Sequence, residues 1–170
     1  MNEALRVVLM IFFATHIPIT LLIDMQAIFG SFYPSHIREF FLWYGEAFND
    51  PLMSPMKGGG DQNKAWLYSF IWSESLFQLP FFFYAVHSLN NRAALKDIQF
   101  LVWSLVYGVH VSTTVMPIMA TFLVSSEVND KERCILVSIY APYLLLPLSL
   151  ATYSARELLS TRSSTEKKVE

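Results

Sequence analysis

Four apolar runs, each about as long as a bilayer-spanning helix, constrain this chain more than any other feature. They cover about Leu5–Phe29, Ala65–Leu89, Ile98–Val124 and Ile135–Tyr153. Crossing the hydrocarbon core takes ~20 helical residues. Within it the backbone must satisfy its own hydrogen bonds, which leaves helices or closed barrels. Apolar residues fall on every side of each run, the pattern of lipid-facing helices. The runs therefore predict an all-α polytopic membrane protein, a four-transmembrane-helix bundle. Composition agrees: 54% of residues are hydrophobic and only 15% charged, against about 25% charged in a soluble domain. A net charge of −2 with no Lys/Arg patch excludes a nucleic-acid footprint. The single cysteine, Cys134, has no intramolecular disulfide partner and reads as a small apolar residue near a span end. The first run continues past the ~7–15-residue core of a signal peptide and has no small-x-small cleavage site, so it reads as a retained span.

The links sort the spans. Asn90–Asp97 (NNRAALKD) and Ser125–Arg133 (SSEVNDKER) are short and polar, so the helices they join are antiparallel neighbours. The first link, about Gly30–Lys64, is longer. Within it SHIREFFLWYGEAF sets Ile37, Phe40, Phe41, Tyr44 and Phe48 at helical spacing. This predicts an amphipathic helix lying in the membrane interface and folded over the bundle. NDPLMSPMKGGGDQN then reads as a proline- and glycine-rich turn region. Residues 1–155 form one membrane domain, and 156–170 a polar tail. Basic residues divide seven against five. Arg6, Arg92, Lys96, Arg156, Arg162, Lys167 and Lys168 lie on one side; Arg38, Lys57, Lys64, Lys131 and Arg133 lie on the other. The bias places both termini in the cytosol. The ending KKVE has lysines third and fourth from the end, like a dilysine signal that retrieves membrane proteins to the endoplasmic reticulum.

Ionisable groups inside a span cost ~2.5–3.5 kcal/mol on insertion scales and mark sites. On the first run His16, Thr20, Ile23 and Asp24 fall near one face. On the second, Glu74 and Gln78 are an i, i+4 pair just before Pro80. On the third, Tyr107, His110 and Thr114 share a face with Thr113 beside it; on the fourth, Tyr140 and Tyr143 are at i, i+3. Each span also carries a proline (Pro18, Pro80, Pro117, and Pro142 with Pro147). Interior prolines bend helices, and four bent helices leave room for a polar cavity with aromatic walls. No span interior contains Lys or Arg, so Asp24 and Glu74 lack a fixed cationic partner. Three states answer this. One carboxyl stays protonated, or the two share a proton, or a carboxylate meets a cationic ligand with aromatic rings adding cation–π attraction. No ligand spacing such as H-E-x-x-H points to a metal, and no cofactor motif is present.

The blocks HIPITLLIDMQA, FNDPL, SESLFQLPFFF, HVSTTVMPIMATF and VSIYAPYLLLP resemble, in order, the sigma-2 receptor (transmembrane protein 97) family of the EXPERA group, which also holds the sterol delta8-delta7 isomerase. The resemblance covers most of the chain from about His16 to Pro147. It implies an EXPERA-type membrane protein of the endoplasmic reticulum, a homodimer, with a pocket within the helices open toward the bilayer. The pocket would take sterols or oxysterols and cationic amphiphiles, and the protein would serve cholesterol homeostasis with the Niemann-Pick type C1 cholesterol transporter as a partner. It implies a binding protein rather than an enzyme, with sterol isomerisation and a trafficking scaffold as the rival activities. By the same resemblance Asp24 matches the carboxylate that pairs the ligand amine, and Asp50 a second aspartate that hydrogen-bonds the first. His16, Ile23, Glu74, Gln78, Thr113, Thr114, Ile139, Tyr140 and Tyr143 match pocket-lining positions. From the residues alone, Asp50 before Pro51 reads as a turn or cap residue. The MSPMKGGGDQN link is longer than the family's, and SSEVNDKER is shorter.

Overall fold

The computed structural model describes residues 1–53 and 65–166, with side chains as far as Thr161. Most of the MSPMKGGGDQN link, with Lys57 and Lys64, and the KKVE ending lie outside the described residues. Among those described there is no strand.

Helix α1 (Glu3–Ile19) continues through a π-helical segment, Thr20–Asp24, into the short α2 (Gln26–Phe29). Helix α3 (Ser35–Ala47) follows. Helix α4 (Ala65–Ser73) runs through a second π-helical segment, Glu74–Gln78, into α5 (Leu79–Asn90). Two long helices close the chain, α6 (Ile98–Val124) and α7 (Asp130–Glu166). Three of these rods are long and apolar enough to cross a membrane: Glu3–Phe32, Ile98–Val124 and Asp130–Thr161. The fourth rod, α4 through α5, packs against α1. It is the less apolar one because it carries Glu74 and Gln78.

Local chemistry sets the ends. Asn2 caps α1, its Oδ1 accepting from the Leu5 amide at 2.8 Å, and Asp97 caps α6 through the Gln99 amide at 3.1 Å. The last helix starts at Asp130 rather than the expected Ile135 because Asn129 and Glu132 form a reciprocal capping box. Asn129 Oδ1 accepts from the Glu132 amide at 3.0 Å, and Glu132 Oε2 accepts from the Asn129 amide at 2.8 Å. It also runs past Tyr153 to Glu166. No Gly or Pro follows Pro147, and ARELL is a run of good helix formers. The expected polar tail therefore begins as helix.

Arg133 closes the turn between α6 and α7, its guanidinium donating to the carbonyls of Phe122 at 3.1 Å and Ser125 at 3.1 Å. Those are carbonyls that the end of α6 leaves without helical partners. Arg133→Met is expected to lower the thermal midpoint by several degrees, since hydrogen bonds to charged groups contribute about 1.5–3 kcal/mol each. Differential scanning fluorimetry in detergent measures it.

Helices α6 and α7 share the most extensive contact, followed by α1 with α5. One apolar cluster gathers Leu9, Phe13, Phe82, Phe100, Tyr107 and Leu150 from α1, α5, α6 and α7. A second gathers Leu52, Leu67, Ile71, Phe122, Val128 and Leu136. Gly108 is the contact point of α6 on α7. A Cβ there would lie 2.4 Å from the Pro147 carbonyl oxygen and 2.7 Å from the Ala151 Cβ, so only glycine permits this approach. The outer faces are apolar, with Ile11, Trp103, Val109, Met116 and Leu145 exposed, as lipid-facing surfaces require.

The amphipathic helix expected in the first link is α3. Its Phe40 and Trp43 are stacked and exposed, while Tyr44 turns toward the bundle.

Candidate functional site

The two π-helical segments build the site. In a π turn the hydrogen bond spans five residues instead of four, here from the Met25 amide to the Thr20 carbonyl at 3.0 Å and from the Leu79 amide to the Glu74 carbonyl. The wider turn leaves neighbouring carbonyls to be satisfied by side chains. Gln26 Nε2 donates to the Leu22 carbonyl at 2.5 Å and the Tyr33 hydroxyl to the Leu21 carbonyl at 2.5 Å. Pro80 follows closely on the second segment and, lacking an N–H, leaves one more carbonyl of that turn without a helical donor.

Thr20 and Asp24 open and close the first segment, and Glu74 and Gln78 the second. The two segments meet. The Thr20 hydroxyl donates to Glu74 Oε1 at 2.5 Å, and His16 Nε2 stands 3.5 Å from the same oxygen. Asp24 and Glu74 bring carboxylate oxygens within 4.8 Å of each other.

A cavity of about 230 Å³ opens onto this acid pair. His16, Ile23, Asp24, Glu74, Gln78, Thr114, Ile139, Tyr140 and Tyr143 all line it. Among the described residues no Lys or Arg does so. Asp24 is half-buried, and the exposed part of it faces the cavity. His16 is held rigidly: it stacks on Phe82 with centroids 4.5 Å apart and meets Tyr143 edge-on at 4.8 Å. Its Nδ1 is buried with no partner among the described residues.

Two expected site residues lie elsewhere. Thr113 is exposed on the outer face of α6, its hydroxyl returned to the Val109 carbonyl at 2.8 Å. Neighbouring helix positions differ by ~100°, so only one of two adjacent threonines enters the cavity. Thr114 is that one. Asp50 is fully buried but stands behind the wall rather than in it. Its Oδ1 accepts from the Leu52 and Met53 amides at 2.9 and 3.2 Å, and its Oδ2 accepts from the Tyr140 hydroxyl at 3.0 Å. Asp50 is thus a turn cap that also fixes a wall tyrosine, while the carboxyl of Glu74 lies within 4.8 Å of that of Asp24. Tyr44 of α3 lines the cavity together with Tyr140. Burial first, then the charge of Asp50, pushes the Tyr44 phenol well above its ordinary value.

Asp50→Ala is expected to cost about 1–3 kcal/mol of stability, because two amides and a buried hydroxyl lose their acceptor. Asp50→Asn keeps an amide acceptor and should retain most of it. Thermal melting of the two variants side by side checks this.

His110 shares its side of α6 with Tyr107, as expected, but stays outside the cavity. Its Nε2 is 2.7 Å from the Ser73 hydroxyl and its ring meets Phe77 edge-on. Several lining residues went unrecognised in the sequence, among them Tyr44 and Met53 from the first link and Phe70 with Ile71 from the turn before Glu74. Phe70 and Ile71 sit four and three residues before Glu74, a spacing that places them on its face.

His16, Asp24 and Glu74 bring their donor atoms within 4.8 Å of one another, although the sequence carries no metal motif. The Glu74 oxygen is engaged by Thr20 and His16, and Asp24 by Glu74, so the donors serve each other.

Residues 36–154 match the EXPERA (expanded EBP superfamily) family model. The chain is 36% identical to human sigma intracellular receptor 2 over 158 residues, covering 86% of this chain and 84% of the relative. With sigma intracellular receptor 2 of Xenopus tropicalis it shares 38% over 148 residues, covering 82% and 81%. The efficient mitochondria targeting-associated protein 19 of Saccharomyces cerevisiae is 26% identical over 151 residues, covering 82% and 90%. An all-helical bundle whose cavity is built from two facing π turns thus carries the sequence of a known membrane family, and the chain belongs to the EXPERA superfamily and, within it, to the sigma intracellular receptor 2 family.

Proposed function

We propose that this protein is an intracellular membrane receptor that binds sterols and cationic amphiphiles in the cavity, with Asp24 as the counter-ion of the ligand amine. One observation carries the reading: an acid pair faces an apolar, aromatic-walled cavity in which no described Lys or Arg balances it. Electrostatic attraction in such low-dielectric surroundings is far stronger than in water. Tyr140 and Tyr143 offer ring faces to the cation, and Gln78 and Thr114 offer polar contacts to a neutral ligand. The apolar walls, among them Ile71, Val111, Val115 and Ile118, suit a sterol skeleton. Kinship with the sigma intracellular receptor 2 proteins supports a receptor role. The proposal extends to an endoplasmic reticulum membrane location, for which the KKVE ending speaks, and to cytosolic termini, for which the seven-against-five division of basic residues speaks, with a homodimer that contributes to cholesterol homeostasis beside a Niemann-Pick type C1 transporter. Binding of a radiolabelled tertiary-amine amphiphile and of cholesterol to wild type and Asp24→Asn in nanodiscs tests the reading. Amine binding that depends on Asp24 supports it.

The cluster of His16, Asp24 and Glu74 also supplies an acid and a base at one cavity, the minimum for shifting a double bond. Isomerase is therefore the second reading. Rescue of an isomerase-deficient cell that is lost on Glu74→Gln would favour it over a receptor.

A further inference from the structure

We infer that His16, Asp24 and Glu74 form an electrically neutral triad that exchanges one proton for the ligand's cation, so that each amine bound releases one proton while a neutral sterol binds with none released. The inference rests on the receptor reading and adds its stoichiometry. The geometry leads to it. Glu74 Oε1 takes the Thr20 hydroxyl and faces His16 Nε2 at 3.5 Å, and an Asp24 carboxylate oxygen lies within 4.8 Å of both. A net charge on this group would have no fixed counter-charge among the described residues that line the cavity. An isolated charge in an apolar interior is costly, and the group sheds it by taking or losing a proton.

Two proton arrangements keep the triad neutral: both carboxyls protonated beside a neutral imidazole, or one carboxylate beside an imidazolium. Each holds the same number of protons. Entry of a protonated amine then adds one positive charge, and neutrality returns only if one proton leaves. The remaining acid proton stays on the Asp24–Glu74 pair. The balance is one ammonium in and one proton out, with no bond made or broken in the ligand.

The phenols facing the triad do not titrate across neutral pH. Tyr33, Tyr44 of α3, Tyr107 of α6, and Tyr140 and Tyr143 of α7 are phenols, which ionise near pH 10 or above. Asp50 is held by Tyr140 and two amides behind the wall. His110 is turned outward to Ser73.

Three probes test the exchange on the full-length wild-type protein in nanodiscs between about pH 6 and pH 8. They are a tertiary-amine amphiphile, its quaternary N-methyl analogue, and cholesterol. The Kd of both cationic probes is expected to fall about tenfold per pH unit, as release of one proton requires. That of cholesterol should stay flat. Calorimetry in buffers of different ionisation enthalpy should count one proton released per amine. Amine binding that is lost in Asp24→Asn but whose Kd is flat with pH overturns the exchange and leaves the receptor reading standing. Amine binding equal in wild type and Asp24→Asn overturns the receptor reading and the exchange with it.

Discussion

Asp24→Asn is expected to weaken binding of a tertiary-amine amphiphile by about 100-fold or more. The substitution keeps the shape of the side chain and an oxygen that can accept from a protonated Glu74. It removes the one charge that the ligand's cation requires. Truncating one partner of a buried, hydrogen-bonded charge pair costs about 2–5 kcal/mol, mostly because the other charge is left unpaired. About 2.7 kcal/mol already corresponds to 100-fold in Kd. Glu74, still engaged by Thr20 and His16, does not replace Asp24 without losing those partners. The thermal midpoint should move little, because Asn preserves the packing of the first π turn. Saturation binding together with a melting curve on the same preparation checks both halves.

Gly108→Ala is expected to lower stability by about 1–3 kcal/mol, the usual cost of overpacking, and to do so without touching the cavity. The added carbon would meet the Pro147 carbonyl oxygen at 2.4 Å and the Ala151 nitrogen at 3.2 Å. These are backbone atoms, so no side-chain rotation relieves the clash. The whole α6–α7 seam must part, and it is the most extensive helix contact in the molecule. In lipid, close approach at small residues is a main source of helix association. Ala151→Gly in the same chain removes only the Cβ contact at 2.7 Å, so rescue should be partial. Melting of the single and double variants measures this.

Much of this was legible in the sequence. The spans were readable because apolar run length maps directly onto bilayer thickness. His16, Asp24, Glu74 and Gln78 stood out because a polar group in a span needs a reason. Their meeting was not legible. It depends on two π turns that shift the register of each helix, and no side-chain pattern announces a π turn. Asp50 shows the opposite case. From the residues alone it reads as a turn residue, which its bonds to Leu52 and Met53 match; its further bond to Tyr140, ninety residues away, has no local sequence signal. Thr113 and Thr114 were inseparable in sequence because adjacent residues differ only in azimuth. Tyr44 was seen as part of an interfacial face, but nothing local says that this face folds over the cavity. The continuation of α7 beyond Tyr153 has no hydropathy signal, because an exposed polar helix and a polar coil are alike in composition.

The central claim is that the carboxyl of Asp24 pairs a ligand's positive charge. The most direct test is a four-way binding measurement: an amphiphilic amine and its isosteric neutral carbon analogue, each against wild type and Asp24→Asn. The account predicts that the amine loses about 100-fold in affinity on substitution while the carbon analogue is unchanged. Equal losses for both ligands, or no loss for either, would contradict it.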